Sequence, residues 1–560
     1  MKKALSLILA FILVFSMAIP AFASGYENLP VIMVRGDATQ IYVPDGNAEN
    51  GERNIWGDAF SNIEGGSIGE SIANILLPFL TEGLLMDKWD NYYDAFYEEI
   101  SPIFEELRLD GDGNPQYNSG ISKEALAENA SRCQTNYSYY GIHNYTYWYD
   151  WRLSPSDVID DLHSYIETVM KTTGKKQVNL VGTCFGGAYV LAYLNKYGTD
   201  GHIKNVFFNV TVGNSTSLLT DAFCGDIEID AAAIERFVYQ NTVIDSNSFA
   251  GLFNSTPLLN EIIFTSYDLL AQVGVIDQLG LTFDQLYQKI YEGLVPRLAI
   301  AMFATFPSYW SLVEPSRFKE ATSFVFEAAG TGFTEEYAGL ISKINDDYTY
   351  VTSRKEEIIK NCQGAGVHFG ALAKYGVQMY PFVASQDQLS DELVDLEHAS
   401  FGATVAKDVY SSFDDAYIAA AKAKGTDKYI SPDGQIDAST SLFKDSLWIV
   451  KNAYHDYFVQ DYRIIEAFCN NTEFTIYDDP KLPQYFVYIP GTMEIEEDGS
   501  KDLLTGTVEI MTEENCGLTL WDEMPESSKT EKPTIASRLL AFFRWLTAMF
   551  KLFTNKLLGK

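Results

Sequence analysis

The chain has 560 residues, 47% of them apolar and 14% aromatic, enough to build a large single-core enzyme with insertions or two to three domains. A formal net charge of −36 argues against nucleic acid as a partner and for a strongly acidic, soluble surface. The six cysteines, at 133, 184, 224, 362, 469 and 516, are scattered with no C-x-x-C pair. Neither a zinc site nor a dense disulfide framework follows from that spacing, and no metal or other cofactor is called for.

The N-terminus opens with Met1-Lys2-Lys3, an apolar run over 4–19 and Ala21-Phe22-Ala23. A short basic start, an apolar stretch and an A-x-A site predict a secretory signal peptide over 1–23, cut before Ser24, and hence a secreted or cell-surface protein. Residues 31–34 read as a central strand that Gly36 ends. Residues 54–107 look helical. Asp110-Gly111-Asp112-Gly113-Asn114 resembles a calcium loop. Pro115, however, stands where the turn glycine belongs, and Ile121 where the bidentate Glu belongs, so a surface hairpin is expected.

Residues 145–151 are aromatic and strand-like. Ser154 and Pro155 suit the N-cap and first position of a helix over 156–170, with Val158, Leu162, Ile166 and Val169 on one face and Thr173-Gly174 at its end. Residues 178–181 then form a buried strand, Gly182-Thr183-Cys184-Phe185-Gly186-Gly187 a tight turn, and residues 188–194 a buried helix. Strand, Gly-x-nucleophile-x-Gly turn and helix make the nucleophile elbow of α/β-hydrolases, here with Cys184 as nucleophile and Gly182 and Gly186 as the elbow glycines. The helix N-terminus beyond it would favour a thiolate.

Residues 206–210 are the next strand. A mostly helical segment over 213–366, rich in Phe, Leu and Tyr, interrupts the alternation and reads as a cap or lid. The core resumes with a strand over 367–376, a loop rich in carboxylates over 390–395, and an apolar run from 445 into His455. The expected organisation is a hydrolase core over 24–212 and 367–469, a β-rich appendage over 470–526, and a linker and helix over 527–560. In that last helix Arg544 and Lys551 lie on one narrow polar stripe, and apolar side chains cover the rest. Such a helix over 535–558 is expected to lie on an anionic membrane surface, reached through the linker over 525–533.

Six histidines make the search for a base short. In this fold the triad runs nucleophile, acid, base along the chain. His143 and His163 precede Cys184, His202 lies before a strand, and His368 falls within one. Of His398 and His455 the second is better placed, because His398 leaves no room for a strand between acid and base. Asp391 is the preferred acid, with Asp433 the alternate. The backbone N–H groups of Asp37 and Phe185 are the oxyanion-hole candidates.

Tyr149-Asp150-Trp151-Arg152-Leu153-Ser154-Pro155, some 30 residues before the elbow, resembles the F/Y-D-W-R stretch of the lecithin:cholesterol acyltransferase-like family, which includes lysosomal phospholipase A2. Residues 30–37 (PVIMVRGD) resemble its P-V-I-x-V-P-G oxyanion segment, Phe306-Pro307-Ser308-Tyr309-Trp310 its cap motif, residues 391–394 its D-G-T-V acid loop, and His455 its terminal base. The similarity spans about 29–455 in blocks. Three positions depart from the pattern: Cys184 replaces Ser, Glu392 replaces the acid-loop Gly, and Arg35 replaces Pro. The resemblance implies acyl transfer from a lipid ester to water or an alcohol. Polyhydroxyalkanoate synthases also carry a Gly-x-Cys-x-Gly-Gly elbow but act on intracellular acyl-CoA. A binding or scaffold protein on a degenerate hydrolase fold is the reading from a different class.

Overall fold

The computed structural model describes residues 29–522, except 37–39, 49, 56–73, 75–77, 132–143, 214, 229, 231, 234–235, 238–239, 241–282, 382, 456–460 and 490–505. The expected signal peptide, the candidate donor Asp37, Cys133, His143, the linker and the C-terminal helix lie outside the described residues.

In chain order, the elements that frame the site are β1 (Val31–Val34), α1 (Trp89–Ile100), β2 (Asn144–Tyr147), α2 (Pro155–Thr173), β3 (Val178–Thr183), α3 (Gly186–Tyr197), β4 (Ile203–Asn209), α4 (Ser217–Cys224), α5 (Phe283–Met302), α6 (Ala338–Tyr350), α7 (Lys355–Gly364), β5 (His368–Tyr375), β6 (Leu447–Lys451), α8 (Asp461–Asn470), β7 (Tyr485–Ile489) and β8 (Thr507–Ile510). The eight strands form one sheet in the order β8-β7-β6-β5-β4-β3-β1-β2. Every pairing is parallel except the last, β7 with β8. β1 and β3 are buried along their whole length, which is why they read as continuous runs rather than alternating ones.

Helices cover both faces. On one, Leu162 and Ile166 of α2, Val190 and Leu191 of α3 and Ile358 and Ile359 of α7 pack with Ile32, Val34, Leu180 and Val206. On the other, Ile464, Ile465 and Phe468 of α8 pack with Val31, Met33, Val181, Phe207 and Trp448. The alternation of side chains along each strand divides them between the two layers.

The expected α2 helix forms with its predicted signals. The Ser154 hydroxyl accepts from the Ser156 N–H (3.2 Å), Pro155 occupies the first position, and Gly174 ends the helix at φ 69°. The segment 109–115 makes a tight turn in which Gly113 N–H donates to Asp110 O (2.8 Å) and Leu109 bridges Pro115. It is not free at the surface, because Leu340 N–H donates to Gly111 O (2.7 Å). Between β4 and β5 the described residues are mostly helical and build an apolar cluster of their own from Phe223, Trp310, Phe318, Val325, Phe326 and Leu340.

One expectation is corrected. The strands assigned to a small C-terminal β appendage are β7 and β8 of the main sheet: Ile449, Val450 and Lys451 of β6 pair with Tyr485, Phe486 and Val487. Among the described residues, no helix is long and apolar enough to cross a membrane.

Candidate active site

The chain leaves β1 to form β2 on one side and then returns to form β3 on the other. In open α/β sheets such a reversal opens a crevice at the carboxyl ends of the two strands, where ligands bind. Cys184 is the residue that follows β3 at this point, with Val34 of β1 paired to Gly182 beside it.

The turn is built by close backbone approach. A Cβ on Gly186 would lie 1.9 Å from Val34 O, and one on Gly187 would lie 1.7 Å from Thr211 Oγ1. A side chain at Gly186 would have to displace the β1 backbone, and one at Gly187 would displace the Thr211 side chain that holds the elbow. Cys184 itself adopts φ 52°, the left-handed region that a residue with a Cβ seldom occupies. Three contacts hold it there. Its N–H donates to Asn209 O (3.0 Å), and its carbonyl accepts from Val212 N–H (3.2 Å) and Thr211 Oγ1 (3.0 Å). Thr211 had no sequence signal; its role depends on β4 ending beside the elbow.

Gly36 closes the other side. A Cβ there would meet Cys184 Cβ and Phe185 N, each at 3.1 Å. The Phe185 N–H stands at the start of α3, among the donors a helix leaves without an internal partner. The segment entering Gly36 is fixed by Tyr149, whose hydroxyl donates to Arg35 O.

Two strands from β3 the loop after β5 delivers Asp391, and one strand further β6 delivers His455. The His455 Nδ1 lies 2.8 Å from Asp391 Oδ2, and His455 N–H donates to Asp391 O at 2.9 Å. Asp391 is fully buried, and its other carboxylate oxygen accepts from Val394 N–H (2.8 Å) and Leu393 N–H (3.2 Å). Lys374 Nζ donates to the carbonyl of His455 (3.3 Å).

The His455 Nε2 is buried and has no closely aligned hydrogen-bond partner, yet Cys184 is near enough to act on the ring. Burial disfavours a charge on the imidazole, but Asp391 and Cys184 more than offset it. The ring's pKa lies well above the usual histidine range.

Asp433, the alternate acid, is committed elsewhere. It accepts from Tyr375 Oη (2.5 Å), Lys451 Nζ (3.1 Å) and Ser431 Oγ (2.5 Å). His398 is likewise paired away from the elbow, with Asp395 at 2.5 Å. His368 lies in β5 with Nε2 3.0 Å from Phe474 O, and His163 stacks on Tyr197. None of the five described cysteines is disulfide-bonded, and no cluster of metal-ligating side chains occurs among the described residues.

The parallel sheet with its cysteine-bearing elbow meets a match in family models. The model for the alpha/beta hydrolase fold covers residues 118–260, the stretch that holds β2, the elbow and β4. The chain has the α/β-hydrolase fold. That fold is one on which hydrolytic and acyl-transfer chemistry is performed. No curated protein matches the chain.

Around the hydrolase elbow stands an aromatic wall. Phe185 packs edge-on to Tyr309 (5.1 Å between ring centres), and Trp151 edge-on to Phe306 (5.6 Å) and Tyr309 (6.0 Å). The D-W-R and F-P-S-Y-W segments, far apart in sequence, therefore meet beside Cys184. Arg152 is fully buried beneath them. It is bidentate to Asp150 (2.9 and 2.7 Å) and donates to Leu107 O (2.7 Å), so it ties the residues after α1 to the elbow.

Proposed function

We propose that this protein is an exported acyl-transfer enzyme of the hydrolase fold, acting on lipid-like esters through an acyl-Cys184 intermediate. One observation carries the reading: a cysteine held at positive φ on the elbow, with a buried His455–Asp391 pair acting on it. Neither a buried inert cysteine nor a structural histidine needs that arrangement.

His455 takes the thiol proton, and the thiolate attacks the ester carbonyl. The Phe185 N–H, with that of Asp37, receives the oxyanion; each donor contributes ~3 kcal/mol when well aimed. His455 returns the proton to the departing alcohol, leaving the acyl group on Cys184 as a thioester. Water or a second alcohol then gives its proton to His455, attacks the thioester and frees the thiol. Asp391 fixes the imidazole tautomer and stabilises the imidazolium.

The lipid character of the substrate is supported by the apolar wall of Trp151, Phe185, Phe306 and Tyr309, and by the resemblance to the lecithin:cholesterol acyltransferase-like family in those same segments. Export rests on the leader at 1–23, and contact with the membrane surface on the basic helix at 535–558.

The test compares turnover of p-nitrophenyl esters of graded chain length by the wild type and by Cys184→Ala. Loss of turnover in the variant supports the reading. Equal turnover removes the mechanism, and no turnover by either protein favours the scaffold reading. Turnover confined to acyl-CoA would favour the polyhydroxyalkanoate synthase-like chemistry.

A further inference from the structure

The fold carries a second buried Asp–His pair, four residues beyond the first acid and outside the chemistry above. Asp395 is the N-cap of a short turn of helix, Leu396–Ala399. Its carboxylate accepts from His398 Nδ1 at 2.5 Å and from His398 N–H at 3.2 Å. Its other oxygen accepts from the backbone N–H of Ser217 at 2.7 Å, at the start of α4, where the chain has just left the core for the cap. Beside it, Thr216 Oγ1 donates to Leu393 O at 2.8 Å. Leu393 is one of the two residues whose N–H groups hold the Asp391 carboxylate.

The same cluster reaches into the cap. His398 Nε2 lies 3.8 Å from Glu314, whose N–H donates to Thr220 Oγ1 of α4 (2.9 Å). Thr216 N–H donates to Leu312 O (3.0 Å). Lys355, the first residue of α7, donates from Nζ to Ser215 Oγ (3.0 Å) and Ser311 O (3.3 Å). The charged groups around His398 are thus Asp395, Glu314 and Lys355. Burial opposes a charge on His398 and Lys355 adds to that, but Asp395 and Glu314 outweigh both and the ring's pKa rises. Burial likewise opposes the Asp395 charge, and His398 reverses it, so the Asp395 pKa falls. The two form an ion pair, and removing one partner would strand the other in the interior.

We propose that the Asp395–His398 pair, together with Thr216, is a positioning clamp that locks the Asp391 loop to the root of the cap. It thereby keeps Asp391 and His455 aligned with Cys184. The inference rests on the acyl-transfer reading of that site. It makes the cap's attachment part of the machinery that aims the base, rather than a passive hinge. Nothing in the clamp touches substrate; it acts through the backbone of 391–395.

The test uses the full-length protein and three variants. His398→Leu removes the donor to Asp395. His398→Asn keeps a donor near the Nδ1 position. Thr216→Val keeps volume and removes only the hydroxyl that holds Leu393 O. Two quantities are measured: the rate of iodoacetamide alkylation at Cys184 against pH, read by peptide mass, and kcat and KM for p-nitrophenyl butyrate. The clamp predicts that His398→Leu lowers kcat by about 10²-fold with KM little changed, the loss expected from a small misplacement of a reacting group. It predicts that the midpoint of alkylation moves to higher pH, because an imidazolium no longer held by Asp391 supports the thiolate less. Thr216→Val moves both in the same direction by less, and His398→Asn restores most of the loss. If His398→Leu and Thr216→Val lower the thermal midpoint but leave kcat and the alkylation profile as in the wild type, the clamp is only structural and the proposal fails. If the wild type does not turn over the ester while the alkylation profile shifts as predicted, the clamp stands and the acyl-transfer reading falls.

Discussion

Asp347, at the end of α6, joins the cap to the core by accepting from the Ser154 hydroxyl (2.6 Å) and the Ser156 hydroxyl at the start of α2. Its side chain is buried, and burial, only partly offset by those two hydroxyls, pushes its pKa up from the usual carboxylate range to about 6. A raised carboxyl pKa means that the native state binds more protons than the unfolded chain between the two. Stability therefore falls as pH rises through that window, and the cost is complete above pH 6 or so. A carboxyl pKa raised that far corresponds to roughly 3 kcal/mol. Asp347→Asn removes the charge and keeps the shape. Its amide oxygen accepts from one serine, and the other hydroxyl can rotate to accept from the amide. The variant should be more stable than the wild type near pH 7.5 by up to about 3 kcal/mol, and no more stable near pH 4. Urea unfolding of both proteins at the two pH values checks this through the shift in midpoint. Equal midpoint shifts at both pH values, or a variant less stable at the higher pH, would refute the assignment of a buried carboxylate charge.

Other expectations follow from the same contacts. Asp391→Asn should lower kcat for ester turnover by about 10⁴-fold, as loss of the acid does in related triads. Asp433→Asn should leave kcat within a small factor and lower the thermal midpoint instead, since Asp433 holds Lys451 and Tyr375; the reverse outcome would exchange their roles. Gly186→Ala places a Cβ against Val34 O and should destabilise by at least the ~1–3 kcal/mol typical of overpacking, seen as loss of soluble protein or a lower unfolding midpoint. Truncation after Glu526 should abolish co-sedimentation with phosphatidylglycerol vesicles while leaving turnover of short soluble esters intact. Equal sedimentation of the truncated protein would show that the tail is not the membrane element.

Much of the fold was legible because the relevant signals are local. The four apolar residues of β1, the Ser154-Pro155 start of α2 and the small residues around Cys184 each announce their structure within a few positions. Chain order in the fold then singled out His455 and Asp391, which the structure brings within 2.8 Å. What was not legible depends on partners distant in sequence. β7 and β8 read as an appendage because nothing within Tyr485–Ile489 announces pairing with β6; the pairing becomes evident only when α8 has covered the sheet. Charged residues such as Arg152, Asp347, Lys355 and Asp395 have the sequence appearance of surface positions. Each is buried against at least one partner far away in sequence, such as Leu107 O for Arg152 and Ser154 for Asp347. His398 could be set aside as the base by spacing, but its pairing with Asp395 at the root of the cap could not be read from it.

The central claim is that Cys184 carries the acyl group. Acid-quenching the full-length protein during turnover of a p-nitrophenyl ester, and measuring the mass of the peptide that contains residue 184, tests it most directly. The account predicts the acyl mass on Cys184 in the wild type, its removal by hydroxylamine, and its absence in both Cys184→Ala and His455→Ala. Turnover that continues with no adduct on Cys184, or an adduct on a different residue, would contradict it.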